Sequence, residues 1–167
     1  MTLAQLVFAA ALIGVLALVI SFGVVVITSA ARSGGGSYIS AGLVRRLQRS
    51  PDERAEFNRW AFYAHRFTGF AIFAFLCLHI LDVGLYPISA ESFDEIHVLY
   101  GSTPMRLFEC GLLCAILFHT FNGLRILAID LVDAGLETSR KMLVVAVALT
   151  VVLGLAGSAV IMAPAFA

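Results

Sequence analysis

The stretch Leu117–Asp130, LFHTFNGLRILAID, is an apolar helical segment interrupted by a few polar residues. At about 100° per residue, one face of this helix carries His119, Asn122, Gly123 and Asp130. Arg125 points away from that face. Polar residues inside a membrane-spanning helix face protein, water or a cofactor, because exposure to lipid is costly. We therefore expect a polar, flat or metal-containing partner against this face.

The composition predicts a membrane protein of the all-α class. The 167-residue chain is 60% hydrophobic and 13% charged, which is about half the charged fraction of a typical soluble domain. Because the apolar residues form long runs, they predict a polytopic bundle of membrane-spanning helices. The three cysteines lie in apolar segments, which predicts no disulfide framework. Cys110 and Cys114, one helical turn apart, are interpreted as small packing residues in preference to metal ligands.

Four transmembrane helices are predicted, at about residues 3–29, 60–83, 105–131 and 142–163. The first occupies an N-terminal region, residues 1–31, that has no charged residue. A cleaved secretory signal is the alternative, but such a signal normally has a basic start and a shorter apolar core. Residues 60–167 then form a three-helix core. Within that core, residues 82–103 are predicted to be a loop rich in acidic residues.

Residues 32–59 are predicted to connect the first span to the core along the membrane surface. Ser33–Ser37, SGGGS, is typical of a flexible linker. Tyr38–Arg49 has apolar residues at helical spacing beside arginines, which favours an amphipathic helix on the membrane surface. Ser50-Pro51-Asp52-Glu53 has the form of a capping box with proline at the first helical position, so a new helix is expected there.

The basic residues predict the orientation. Ten of the eleven lie on one side of the predicted membrane, at the start of the second span and around the connection between the third and fourth. They are Arg32, Arg45, Arg46, Arg49, Arg54, Arg59, Arg66, Arg125, Arg140 and Lys141. The positive-inside rule makes this side cytoplasmic and places both termini outside. A bacterial cytoplasmic membrane is the expected location, with no nucleic-acid partner.

His65 and Arg66 lie where the second span enters the membrane. One interpretation is an interfacial anchor, with Arg66 reaching lipid phosphates. The other is a pair of hydrogen-bond donors for an anionic or carbonyl group, such as a haem propionate or a quinone oxygen.

Two histidines lie deeper in the predicted spans. His79 is interpreted either as a packed residue or as an axial haem ligand. His119 is favoured as a haem ligand, because imidazole is a common iron ligand in helical bundles. Gly123, one turn further on, removes a side chain where a porphyrin edge would lie, and Arg125 has the chemistry to bind propionates or backbone groups.

Two segments together, HRFTGFAIFAFLCLHILD and LFHTFNGLRILAID, resemble the cytochrome b membrane-anchor C subunits of succinate dehydrogenase (complex II). That family is marked by an H-R-x-[ST]-G motif in one helix and an H-x-x-x-G-[IL]-R-x-x-x-x-D motif in the next. The resemblance covers about residues 60–160. The N-terminal span is additional to the three spans of well-known members.

The resemblance implies that His119 is an axial ligand of haem b, with the opposite ligand supplied by a second small membrane subunit. It implies that Arg66 and His65 lie at the propionates and at a quinone pocket, for menaquinone or ubiquinone. Asp130 corresponds to an aspartate linked to the quinone or its proton path. Phe62 stands where the family commonly has a serine at the quinone. His79 corresponds to no ligand in single-haem members but would suit the second haem of two-haem relatives.

The function implied is that of an electron-transfer subunit, inactive alone, of a succinate:quinone oxidoreductase. A flavoprotein subunit and an iron–sulfur subunit would oxidise succinate and pass electrons to the pocket. Three alternatives remain open at this point: a fumarate reductase anchor, a haem-free structural anchor of the same complex, and an unrelated small cytochrome b.

Overall fold

The computed structural model describes the backbone of residues 2–33, 51–132 and 135–166, and the side chains of residues 2–29, 59–132, 135 and 137–166. Within these ranges the chain is helical and contains no strand, which confirms the all-α prediction. The helices are α1 (Leu3–Ser33), α2 (Pro51–Leu85), α3 (Ala90–Tyr100), α4 (Thr103–Val132) and α5 (Leu136–Met162), with a short 3-10 helix at Ala163–Ala165. The predicted linker beyond Ser33 and the surface helix at 38–49 lie outside the described residues.

Within the described residues, four helices are long and apolar enough to cross a membrane, as predicted. The candidate spans are Leu3–Ser29, Arg59–Leu85, Thr103–Val132 and Glu137–Ala165. Each agrees with the corresponding predicted span to within a few residues. The chain is therefore a multi-pass membrane protein. The helix predicted to begin near the capping-box sequence does begin there, at Pro51.

The prediction of a loop over residues 82–103 was wrong. Helix α2 continues to Leu85, and most of the remaining segment forms α3. The side chain of Ser89 caps α3 by accepting a hydrogen bond from the backbone N–H of Ser92 at 3.3 Å. Ile96 is buried against α1, α2 and α4, in a cluster with Phe8, Leu78 and Met105. Burial of this apolar side chain stabilises a helix that the acidic composition alone did not predict.

Helix α1 packs against α2 and α3, and α4 packs against α2 and α5. The rings of Phe22 in α1 and Phe70 in α2 stack with centroids 4.2 Å apart. Gly154 and Gly157 of α5 lie against side chains of α4: Cys114 at the first and Leu113 at the second. A side chain at Gly157 would collide with Leu113, so these small residues allow the two helices to approach closely. Cys114 thus makes a packing contact, as interpreted from the sequence.

The bundle has two chemically different ends. At one end α1 finishes, α2 begins, α4 finishes and α5 begins, and every basic residue in the described part of the chain except Arg106 lies at or near it. We call this the basic end. The opposite end, which includes α3, carries Asp82, Glu91, Asp94 and Glu95, and we call it the acidic end.

Candidate functional site

His65 of α2 and His119 of α4 stack on each other near the basic end. Their ring centroids are 3.9 Å apart and their planes differ by 5°. A glycine on each helix makes room for the ring of the other. A Cβ on Gly69 would lie 2.7 Å from Cε1 of His119, and a Cβ on Gly123 would lie 3.4 Å from Cε1 of His65. Each helix therefore places its imidazole against a glycine of the other helix.

The surroundings of His119 determine which of its ring nitrogens carries hydrogen. Its Nδ1 lies 3.1 Å from the backbone oxygen of His65 and 3.3 Å from Oγ1 of Thr68. The Thr68 hydroxyl donates to the backbone oxygen of Ala64 at 2.9 Å or to that of His65 at 3.0 Å, so its oxygen is left as an acceptor. Both neighbours of Nδ1 thus accept hydrogen bonds, which assigns the proton to Nδ1. The Nε2 of His119 keeps its lone pair, the form in which histidine binds a metal.

The imidazole of His65 has an unused polar atom. Its Nδ1 is buried and has no hydrogen-bond partner among the described residues. A buried polar atom without a partner is costly, and such atoms in a folded protein often mark a functional position. His65 therefore offers a hydrogen-bonding nitrogen to a group that binds at this place.

A cavity of about 580 Å³ lies beside the paired histidines, between α1, α2 and α4. This volume is within the range of small-molecule and cofactor sites. Helix α2 and the histidine pair form one side, through Tyr63, His65, Arg66, Gly69, Phe70 and His119. Helix α1 forms the other side, through Phe22, Val25, Val26 and Ser29. The N-terminal helix, to which the sequence assigned no function, is thus a wall of the candidate site.

Arg66 and Phe62 lie next to each other on the exposed side of α2. The guanidinium carbon of Arg66 is 4.7 Å from the centroid of the Phe62 ring, which is within the distance of a cation–π contact. Both side chains are exposed, and Arg66 also lines the cavity. The cavity therefore has one positive charge available at its mouth.

Arg125 is directed away from the histidine pair and ties α4 to α5. It is 7% exposed. Its Nε donates to the backbone oxygen of Ser139 at 3.0 Å, its Nη2 donates to Oγ of Ser139 at 2.6 Å, and its Nη1 donates to Oδ1 of Asn122 at 3.0 Å. The sequence predicted that Arg125 binds either propionates or backbone groups, and in the structure it binds a backbone oxygen, that of Ser139. Asn122, predicted to share the face of His119, belongs to this network instead, because it lies 60° round the helix from His119.

Two other predicted residues lie apart from the pair. His79 is exposed on α2, about 21 Å further along that helix than His65, with its ring stacked on Phe75 at 5.7 Å. Asp130 is exposed in the last turn of α4 at the basic end. Helical periodicity put Asp130 on the face of His119. The structure adds that α2 covers His119 but leaves Asp130 uncovered.

Sequence reasoning missed Thr68, Gly69 and the contribution of α1. Thr68 and Gly69 are the last two residues of the H-R-x-[ST]-G motif, so the signal for them was present without an assigned role. The α1 residues gave no such signal, because an uncharged apolar helix has no residue that stands out.

The fold and the site together define a class: a polytopic helical membrane protein with imidazoles from two spans facing each other. Within that class, residues 44–157 match the succinate dehydrogenase/fumarate reductase transmembrane subunit family. The chain belongs to this family, which confirms the resemblance. Helix α1 lies outside the matched residues.

Two relatives are similar to this chain. Succinate dehydrogenase 2 membrane subunit SdhC of Mycobacterium tuberculosis is 34% identical over 90 residues, which are 54% of this chain and 66% of the relative. The chain thus spans just under two thirds of that relative. The succinate dehydrogenase hydrophobic membrane anchor subunit of Halobacterium salinarum is 32% identical over 108 residues, or 64% of this chain and 82% of the relative.

Proposed function

We propose that this chain is a membrane-anchor cytochrome b subunit of a succinate:quinone oxidoreductase. It would bind haem b through His119 and help to form the quinone site. The observation that carries the proposal is the stacked pair of His65 and His119 at the side of a cavity of about 580 Å³. The family and both relatives support the complex to which the chain would belong.

The residues present fit a haem. His119 has Nδ1 fixed as a donor and Nε2 left for iron, and its ring lines the cavity beside α1. Gly69 allows this ring to approach α2 closely. Haem would supply one-electron transfer between a soluble electron donor and the quinone. A further ligand to the iron would come from another small membrane subunit. A second haem at the exposed His79 would likewise need a ligand from outside this chain.

The quinone would bind near the mouth of the cavity. The guanidinium of Arg66, which lines the cavity, would donate to a quinone carbonyl and stabilise negative charge that develops on its oxygen. The unpartnered Nδ1 of His65 is available to hold a proton or hydrogen bond near that oxygen. Phe62 would lie beside the ring, and Asp130 would connect the site to the proton supply at the basic end.

The partners follow from what the reaction requires. Succinate oxidation needs a flavin and iron–sulfur centres, so a flavoprotein subunit and an iron–sulfur subunit would dock at the basic end, on the cytoplasmic side. The same arrangement would serve fumarate reduction in the reverse direction.

A haem-free structural anchor is the second candidate, and one observation favours it. The rings of His65 and His119 stack directly, so the two imidazoles fill the space between α2 and α4 themselves. In a haem-free anchor this stack would be a packing contact that holds the bundle together.

The test is the absorbance spectrum of the purified complex. We expect a reduced-minus-oxidised haem b spectrum that is lost or strongly altered in His119→Ala. The matched control is His97→Ala, which removes an exposed imidazole from α3 at the other end of the bundle. A wild-type complex without haem, or a spectrum unchanged in His119→Ala, would reject the ligand assignment. Co-purification of the flavoprotein and iron–sulfur subunits tests the complex itself.

A further inference from the structure

A second cavity, of about 640 Å³, lies at the acidic end between α1, α2 and α3. Its walls are mostly apolar and include Val7, Phe8 and Ala11 of α1 and Leu78 and Leu81 of α2. Along α1 it extends from Leu3 to Ala11, about 12 Å at 1.5 Å per residue. Leu3, Val7 and Leu81 are 78%, 62% and 73% exposed, so the groove is open on the side that faces lipid.

The polar groups of this groove are gathered at one place. Asp82, Ser92 and Glu95 line it together with Thr2. Asp82 lies in the last turn of α2, where a membrane-spanning helix reaches the lipid headgroups. The groove thus has a polar head at headgroup depth and an apolar body that runs toward the membrane interior.

Asp82 is buried but only half satisfied. The side chain is 4% exposed. Its Oδ2 accepts a hydrogen bond from the hydroxyl of Tyr100 at 2.8 Å. Burial, and then the contact with Asp82, raise the pKa of Tyr100 far above its usual range, so that this hydroxyl stays a donor. Oδ1 has no partner among the described residues. A buried carboxylate oxygen in this position is costly unless a donor, preferably a cation, reaches it.

Among the described side chains, few cations lie near this carboxylate. Residues 67–105 contain no lysine or arginine but include four carboxylates. Arg106, the next basic residue, donates to the backbone oxygens of Gly101 and Ile161. The surroundings therefore favour a positively charged ligand and disfavour an anionic one.

We propose that this groove binds a phospholipid with a primary ammonium headgroup, of the phosphatidylethanolamine class. The ammonium donates to Oδ1 of Asp82, and an acyl chain follows the apolar walls of α1 and α2. A primary ammonium fits better than a quaternary one, because the unsatisfied oxygen needs an N–H donor. Since Oδ1 is shielded from solvent, contact requires a rotation of the carboxylate.

The experiment measures retained lipid. The assembled complex is reconstituted into vesicles of phosphatidylcholine, phosphatidylglycerol and phosphatidylethanolamine, extracted with detergent, washed, and analysed by mass spectrometry for lipids and quinone. We expect selective retention of phosphatidylethanolamine by the wild type. Asp82→Asn should lower that retention about tenfold, since it removes the charge but keeps an acceptor for Tyr100.

The control and a second variant keep the test decisive. Asp94→Asn makes the same change at an exposed position of α3 that does not line the groove, and should retain the lipid. Val7→Trp fills the groove from an exposed position and should also lower retention, whether or not the Asp82 variant assembles. Equal retention in Asp82→Asn, no selectivity among the three lipids, retention of quinone in place of lipid, or no bound lipid in the wild type would each overturn the proposal.

Discussion

Gly69 and Gly123 are the residues that allow the two histidines to meet. Each leaves open the place where a Cβ would approach the imidazole of the other helix. The distances differ, at 2.7 Å for Gly69 and 3.4 Å for Gly123, so an added methyl group is tolerated only at the second. The first contact involves His119, whose ring is already held by His65 on one face and by the hydrogen bond of Nδ1.

Gly69→Ala should therefore displace the ring of His119. We expect a destabilisation of about 1–3 kcal/mol from overpacking and a haem spectrum that is weakened or shifted. Gly84→Ala is the matched control, because it makes the same substitution on the same helix where a Cβ would meet nothing within 4 Å. Thermal unfolding and the spectrum of the two purified complexes measure both effects. Equal behaviour of the two variants would show that the close contact at Gly69 is unimportant.

Arg125→Ala should weaken the bundle rather than only the cofactor site. The change leaves Asn122 and Ser139 without the buried guanidinium they bind, at a cost of about 3 kcal/mol. Arg140→Ala, at an exposed position of α5 near the same end, is the control and should have little effect. Thermal unfolding should show this loss of stability even in haem-depleted protein. A loss seen only in haem-loaded protein would instead indicate that Arg125 acts through propionates.

At the scale of elements, α1 is both outside the family match and part of the candidate site. It holds its place through the stack of Phe22 on Phe70 and through Gly23, whose added Cβ would lie 3.0 Å from Phe67. At the acidic end, Nε2 of Gln5 donates to the backbone oxygen of Glu95 at 2.9 Å. The position of α1 thus sets the width of the cavity beside the histidines.

Gly23→Leu should push α1 away from α2 and widen that cavity. We expect binding of a quinone-site inhibitor to the assembled complex to weaken about tenfold, because one wall moves away from the ligand. Gly14→Leu is the matched control on the same helix, since a Cβ there meets nothing within 4 Å. Inhibitor titration of succinate–quinone reductase activity measures the difference. Unchanged inhibition in Gly23→Leu would mean that α1 is not a wall of the quinone site.

At the scale of the whole molecule, the two ends of the bundle differ in charge. Basic residues favour retention on the cytoplasmic side of a membrane, which predicts that the basic end is cytoplasmic. The proposed haem and quinone groups would lie near that end, so electrons from soluble subunits would travel a short distance. The proposed lipid site lies at the opposite end.

Cysteine labelling tests this orientation. In a variant without the three native cysteines, Glu91→Cys at the acidic end should react with a membrane-impermeant maleimide in intact spheroplasts. Glu137→Cys at the basic end should react only after the membrane is opened. Both glutamates are exposed in the structure, so accessibility across the membrane decides the result. The reverse pattern would contradict the predicted orientation.

The positions of His65 and Gly123 show how far sequence reasoning reached into the site. Both belong to recognisable motifs, and their roles as cofactor neighbours remain predictions. The stacking of His65 on His119 was not predictable. Helical periodicity fixes angles within one helix but not the rotation of a second helix against it. The same limit explains Asn122, which periodicity grouped with His119 and packing assigned to Arg125.

The sequence by itself determined the four spans to within a few residues, because a long, mostly apolar run satisfies its backbone hydrogen bonds in a membrane by forming a helix. It also determined the asymmetry of charge and the two histidine motifs. Only the tertiary structure decided that residues 90–100 form a helix, that α1 forms a wall of the cavity beside the histidines, and that Asp82 is buried with one oxygen unsatisfied. These features depend on contacts between residues far apart in the chain, whose energies no local pattern contains.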